Sequence, residues 1–360
     1  MKTAIIHYWL VGMRGGEKVL ESLCELYPDA DIYTHVHDPE KISDIINSHN
    51  IHTTFIDKLP MARKLYQSYL PLMPLALEQL DLRGYDLIIS CESGPCKGII
   101  PPPDALHVSY VHTPMRYVWD MYPDYRNSAG FLKKLLMPPI MHYLRLWDVS
   151  TASRVDAFVA NSNFVKNRLA RFYHRDATVI HPPVDTDEFQ ASDSVEDFYL
   201  MVGELVRYKK ADLAVNAFND MGKMLVIIGD GERLPELQSL AKSNISFLGR
   251  QPFESIKTHF ATCRALIFPG IEDFGIVPVE AMASGRPVIA FAKGGAMDTV
   301  EEGVTGVFFH EQTPESLMDA VGRFEREIDR FDSKQIRSHA EQFSKEIFKQ
   351  KIQEFIASLL

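Results

Sequence analysis

Two carboxylates, Glu272 and Glu280, stand with seven residues between them in Pro269-Gly-Ile-Glu272-Asp273-Phe274-Gly275-Ile276-Val277-Pro278-Val279-Glu280. The apolar run before Pro269 reads as a strand, a turn carries Glu272, and a helix beginning after Gly275 carries Glu280. A helix start leaves backbone N–H groups without intrahelical partners and gathers partial positive charge around them. Acids on either side of such a start can address two parts of one extended ligand, with backbone N–H groups between them for a diphosphate. The bland reading, helix capping, fits poorly with the apolar flanks. Gly285-Arg-Pro287-Val then breaks the helix and begins the next strand.

Three further segments carry chemistry-bearing residues. Val202-Gly-Glu204-Leu-Val-Arg207-Tyr-Lys209-Lys210-Ala gathers cations after a strand and before an amphipathic helix. Cations where the helix dipole already repels them suggest an anionic ligand, with Arg207 and Lys209 as the candidates and Lys210 as a solvated charge. Gly12-Met-Arg-Gly15-Gly16-Glu17 lies between the first strand and the first helix; its spacing is neither a dinucleotide fingerprint nor a Walker loop. Its glycines would let backbone amides approach an anion, or simply make a tight turn. His112, in Val-His112-Thr113-Pro114-Met-Arg116, stands at the carboxyl end of a predicted strand, the edge at which open α/β sheets bind ligands.

The elements that position these residues form two series. Strand candidates TAIIHYWLV, YDLIISC, HVSYVHT and AFVANS alternate with helical segments in the first half. FYLMVGEL, KMLVIIGDG, ISFLGR, ALIFPG and PVIAF repeat the rhythm in the second. Short, β-branched, fully apolar strands separated by helices imply parallel sheets and an α/β class. Residues 182–197, with two prolines and several carboxylates, read as a linker between a first domain over 1–181 and a second over 198–339. The tail, roughly 334–360, reads as a closing helix returning to the first domain from about residue 340. Bending is expected near Pro182–Pro183 and residues 334–341, with an open form closing on its ligand.

Composition narrows the classes. The 360 residues are 46% hydrophobic and 24% charged, and a formal charge of −10 argues against nucleic-acid binding. The first apolar stretch is short for a signal peptide and reads as a strand, and no run reaches bilayer-spanning length. Cys24, Cys91, Cys96 and Cys263 form no Cys-x-x-Cys pair, which favours reduced thiols in the cytoplasm. Two stretches, 58–66 and 131–147, mix large apolar residues with cations. They suit either the core of the first domain or an anionic membrane surface. Asp185-Thr-Asp187, a potential metal pair, sits in a Pro-rich segment that favours a turn.

Taken together these residues resemble glycosyltransferase family 4, retaining enzymes of the GT-B fold: two Rossmann-like domains facing a cleft. The pattern at Glu272 and Glu280, EDFGIVPVEAMASGRPVIA and Lys293-Gly294-Gly295 carry the likeness most specifically. HTPMRYVWD, ANSNFVKNRL, VIHPPVDTDEF, LVRYKKADLAV, IGDGERL and FLGR extend it along the chain. The resemblance implies a nucleotide-sugar donor as co-substrate, no metal or other cofactor, and a glycan or lipid-linked glycan acceptor. The branch it most resembles is the bacterial mannosyltransferases of O-antigen and other surface polysaccharides. That favours GDP-mannose, with a UDP-hexose as the alternative, and a peripheral position at the inner face of the membrane. By the same resemblance Gly15 and Gly16 line the site near donor phosphates or acceptor, and His112 sits beside the transferred sugar. Lys209 holds the diphosphate, Glu272 meets the sugar hydroxyls and Glu280 the ribose. Phe274, Gly275, Ile276 and Val277 offer amides to sugar and phosphate. The chain departs from the family at Glu204, where many members carry Arg; Arg207 on the same loop is the candidate replacement. A nucleotide-sugar epimerase, a phosphorylase or a non-catalytic nucleotide-sugar-binding protein remain the alternatives.

Overall fold

The computed structural model describes residues 1–127 and 129–360 in full. The chain divides into two compact units, one of residues 1–181 and 351–360, the other of residues 182–350.

The first unit is built on a seven-stranded sheet of β1 (Thr3–His7), β2 (Asp31–Thr34), β3 (Ile51–Thr53), β4 (Leu87–Glu92), β5 (Leu106–Val111), β6 (Ala157–Ala160) and β7 (Thr178–Val179), in the order β3-β2-β1-β4-β5-β6-β7. Every pairing is parallel, as the runs of β-branched residues imply. Strand β1 is buried along its whole length, so neither face is available for polar alternation. Strands β2, β3 and β7 carry shorter or more polar runs, and the sequence pattern alone did not bring them out. Order reverses between β1 and β4, which opens a crevice at the carboxyl ends of those strands.

The second unit repeats the plan with β8 (Tyr199–Val202), β9 (Leu225–Ile228), β10 (Ile245–Gly249), β11 (Leu266–Phe268), β12 (Val288–Phe291) and β13 (Gly306–Phe309), in the order β10-β9-β8-β11-β12-β13. One apolar cluster covers each face of this sheet.

Two sequence expectations need correction. Residues 182–197 are not a free linker: Val184 and Phe189 are buried in the second unit's core, and Val184 N–H donates to Phe343 O. Apolar residues spaced among the carboxylates supply that anchorage. The tail is two helices, Ser333–Glu341 and Lys345–Ala357. The first packs on the helix Ile276–Ala283 and buries Ile336 and Ala340, so 334–341 is packed helix rather than a bending point. The division between units falls between Gln350 and Lys351, inside the last helix.

Candidate active site

In the second unit, the turns after β8 and β11 meet at the strand-order reversal. Gly203 to Val206 leave β8, Arg207–Lys209 make a single tight 3-10 turn, and the helix Ala211–Met221 begins after Lys210. Lys210 takes the left-handed conformation at φ 56° as the residue joining the two. Lys209 therefore precedes the α-helix rather than opening it. A side chain at Gly270 would place its Cβ 2.8 Å from Lys209 Cα, so glycine permits the close approach of these two turns. The approach pairs Lys209 Nζ with Glu272 Oε1, both side chains largely covered. Two of the predicted residues thus meet directly. The Glu272 carbonyl accepts the Gly295 N–H at 2.8 Å, tying this turn to the Gly294-Gly295 segment after β12.

Gly275, at φ 91°, turns the chain into the helix Ile276–Ala283, whose first turn has no side-chain cap. The amides of Ile276 and Val277 are placed at that start, while the Phe274 ring is core and packs edge-on against Phe343. Glu280 lies one turn further along. Burial first, then the charges of Asp185 and Glu272, push its carboxyl up to about 7. Asp185 precedes the short turn Thr186–Glu188, so the Asp-x-Asp triplet is the turn expected of it. Arg207 is exposed, and its charge acts on Glu236, which Arg233 chiefly holds below its usual range. Arg207 is not brought to the Lys209–Glu272 pair, and Glu204 is also exposed.

The first unit gathers a different set at its own reversal. The helix Gly15–Leu26 starts at the predicted glycines. Glu17 caps it, accepting Arg14 N–H at 2.9 Å, and its other oxygen lies 3.3 Å from His7 Nε2. Those bonds hold the Glu17 carboxyl below its usual range although burial works the other way. A Cβ on Gly16 would lie 2.5 Å from the Tyr8 hydroxyl and 3.7 Å from His112 Nε2. Gly16 is therefore a requirement of close packing against Tyr8 and not merely of a turn. His112 is the first residue beyond β5; its N–H donates to Glu92 O at 2.8 Å and its ring stands edge-on to Tyr110. Burial, with His7 adding to it, pulls its pKa down to about 3, so the imidazole is neutral at physiological pH. Its Nε2 is buried with no hydrogen-bond partner among the described residues.

Sequence reading passed over Tyr8, His7 and Asp185 as neighbours of these groups, and over Glu92 and Lys97. The available signal was Glu92-Ser-Gly-Pro-Cys-Lys97, charges and a glycine turn directly after a recognised strand.

Residues 13–188 match the family described as Glycosyltransferase Family 4, and residues 185–343 that described as Glycosyl transferases group 1. The chain belongs to glycosyltransferase family 4. The alpha-1,3/1,6-mannosyltransferase ALG2 of Saccharomyces cerevisiae is 30% identical over 63% of this chain and 54% of that protein. The O-antigen chain mannosyltransferase RfbU of Salmonella typhimurium is 25% identical over 60% of this chain and 64% of that one. The matched stretches thus span roughly half to under two thirds of these curated relatives. Among solved structures, Anabaena Alr3699/HepE in complex with UDP superimposes with a TM-score of 0.73 at 17% identity, covering 99% of this chain and 100% of that one. That likeness gives the family-4 chain the GT-B fold, α/β in two domains.

Proposed function

We propose that this family-4 chain transfers a hexose from a nucleotide sugar to a glycan acceptor, with retention of configuration and without a metal. The observation that carries the reading is the Lys209–Glu272 pair at the strand-order reversal, with Glu280 and the uncapped start of Ile276–Ala283 beside it. Departure of a nucleoside diphosphate from an oxocarbenium-like sugar needs preorganised positive charge where the phosphate charge develops. Lys209 and the amides of Ile276 and Val277 supply it, with Arg207 available from the same loop. Glu272 orients Lys209 and accepts sugar hydroxyls, and Glu280 accepts the ribose hydroxyls. In the first unit, neutral His112 hydrogen-bonds the sugar through Nε2, and Gly15 and Gly16 line the site near the donor phosphates or the acceptor. Same-face attack follows: the acceptor hydroxyl bonds to the anomeric carbon as the carbon–phosphate-oxygen bond breaks, and its proton passes to the leaving phosphate.

Mannose from GDP-mannose is the favoured donor, supported by the mannosyltransferases among the relatives. A UDP-hexose is the second reading, supported by the UDP complex of the Anabaena neighbour. A lipid-linked acceptor fits the helix Phe131–Thr151, which exposes Phe131, Leu132 and Leu135 beside Lys133 and Lys134. A nucleotide-sugar panel, read by thermal stabilisation and nucleoside diphosphate release, tests the proposal. Stabilisation by GDP-mannose above other sugars is expected, and no response to any nucleotide sugar would defeat the reading.

A further inference from the structure

Outside these groups, the first unit buries a lattice of ionisable side chains. Lys97, in the turn after β4, is 1% exposed. Its ammonium donates to Glu92 Oε1 at 2.8 Å, to Asp148 Oδ1 and to the Tyr173 hydroxyl at 3.3 Å, which uses all three of its protons. Its backbone N–H also donates to Glu92 Oε2. One ammonium faces two buried carboxylates. Burial works to lower the lysine's pKa, and the carboxylates of Asp148 and Glu92 hold it above the usual value; burial and Asp148 raise that of Glu92. Such lattices contribute little net stability compared with apolar packing, and the bonds of this one fix geometry.

The segment His112–Asp120 is held at both ends, by the main chain of the lattice residue Glu92 at one and by the Asp148 side chain at the other. At one end the main-chain carbonyl of Glu92 accepts the N–H groups of His112 and Thr113, at 2.8 and 3.3 Å. At the other, Asp148 Oδ2 accepts from Trp119 Nε1 at 2.7 Å and from the Tyr173 hydroxyl at 2.9 Å. The Trp119 ring stacks on Phe172. Arg168 adds a strap inside the segment, bonding Thr113 Oγ1 and Asp120 Oδ1 at 2.6 Å each. His112 Nε2 has no hydrogen-bond partner to orient it, so the ring's aim depends on how firmly its backbone is held.

We propose that Lys97, Glu92 and Asp148 act as positioning residues that fix the aim of the His112 imidazole for the transfer reaction. The inference rests on the reading of His112 as a contact to the donor sugar. Misplacing a contact by about 1 Å can cost on the order of a hundredfold in rate without loss of folding.

The test is the combined neutral variant Glu92→Gln, Lys97→Met, Asp148→Asn, which preserves side-chain size and leaves no unpaired buried charge. Nucleoside diphosphate release is followed with whichever of GDP-mannose and UDP-glucose the wild-type protein turns over. The ring signals of His112 are followed by NMR. A cooperative melt, a kcat reduced about tenfold to a hundredfold and a donor KM changed less than about threefold are expected. In a His112→Ala background the same three substitutions should cost nothing further, because groups acting through one another are not additive. An unchanged kcat, or an equal loss in the His112→Ala background, overturns the proposal. Should the combined variant not fold, the near-isosteric Asp148→Asn and Glu92→Gln single variants carry the same comparison. If His112→Ala turns over normally, the donor-site reading fails instead. The His112 ring signals then decide the lattice: displaced or broadened in the neutral variant they support it, unchanged they overturn it.

Discussion

Glu280 is a carboxyl that burial, then Asp185 and Glu272, hold protonated up to about pH 7. Its folded pKa is raised above the unfolded one, so its contribution to stability is fully present below the ordinary carboxylate range. That contribution is lost as pH rises through about 7. Ribose hydroxyls donating to this group favour its ionised form, so binding must expel a proton below that pH. GDP affinity should therefore tighten between pH 6 and pH 8 in the wild type and stay flat in Glu280→Gln. Calorimetric titration at several pH values checks this, and a flat wild-type profile would remove Glu280 from ribose recognition. Lys209 poses a separate question. Losing one preorganised donor to developing charge costs about a hundredfold or more in rate. Lys209→Ala should lose that much turnover and far less folding stability, since neither partner of the pair it breaks belongs to the apolar core of the second unit. Near-normal turnover in a folded Lys209→Ala protein would take this lysine out of the site.

At the scale of elements, the entrance of the helix Gly15–Leu26 is fitted to Tyr8 by the absence of a single methyl group. The Cβ of a Gly16→Ala protein would lie 2.5 Å from the Tyr8 hydroxyl, with the next tyrosine atom 3.6 Å away. Overpacking of this kind costs about 1–3 kcal/mol, more than alanine returns through helix propensity. Removing the hydroxyl removes the clash. Gly16→Ala should be destabilising in the wild type and close to neutral in a Tyr8→Phe background, a coupling that a denaturation double-mutant cycle measures. Equal costs in both backgrounds would show that the helix entrance shifts to accommodate the methyl group.

Over the molecule as a whole, the formal charge of −10 hides two stretches that contain no acid at all, residues 58–77 and 125–147. The helix Phe131–Thr151 buries Met141, Leu144 and Trp147 in the first unit's core and leaves its N-terminal half outside. There Phe131 is 86%, Leu132 66% and Leu135 64% exposed, alternating with exposed Lys133 and Lys134. Met61, Leu65, Leu72 and Leu75 are also exposed, with Lys58, Arg63 and Lys64 among them. The core reading holds for the buried residues of these runs, and the exposed residues are the part open to a lipid surface. No helix among the described residues is long and apolar enough to cross a membrane. Apolar side chains interleaved with cations suit a shallow seat on anionic lipid, each cation contributing about 1 kcal/mol near the surface. The protein should sediment with anionic vesicles, less so at high salt, and Lys133→Glu with Lys134→Glu should abolish that. Failure to bind such vesicles even at low salt would leave the exposed helix without a lipid role.

The α/β class, most strands of both series, the start of the helix carrying Glu280 and the family were legible in the sequence because each depends on local pattern. Buried parallel strands are short and apolar, helix starts follow glycine, and Glu272 and Glu280 lie within one strand–turn–helix unit. Meetings across long stretches of chain were not legible. Lys209 reaches Glu272 across 63 residues because β8 and β11 are neighbours in the sheet, an adjacency that pattern alone does not encode. Lys97 meets Asp148 across 51 residues for the same kind of reason. Burial was likewise decided in three dimensions. Composition marks 182–197 as polar, yet Val184 and Phe189 fill a space that the packed helices and sheet leave for them. The state of each candidate group followed from its surroundings: His112 neutral, Glu280 protonated up to about 7, Gly16 pressed against Tyr8. Residue type sets the chemistry available to a side chain, and the neighbours that only tertiary packing supplies set its charge and its aim.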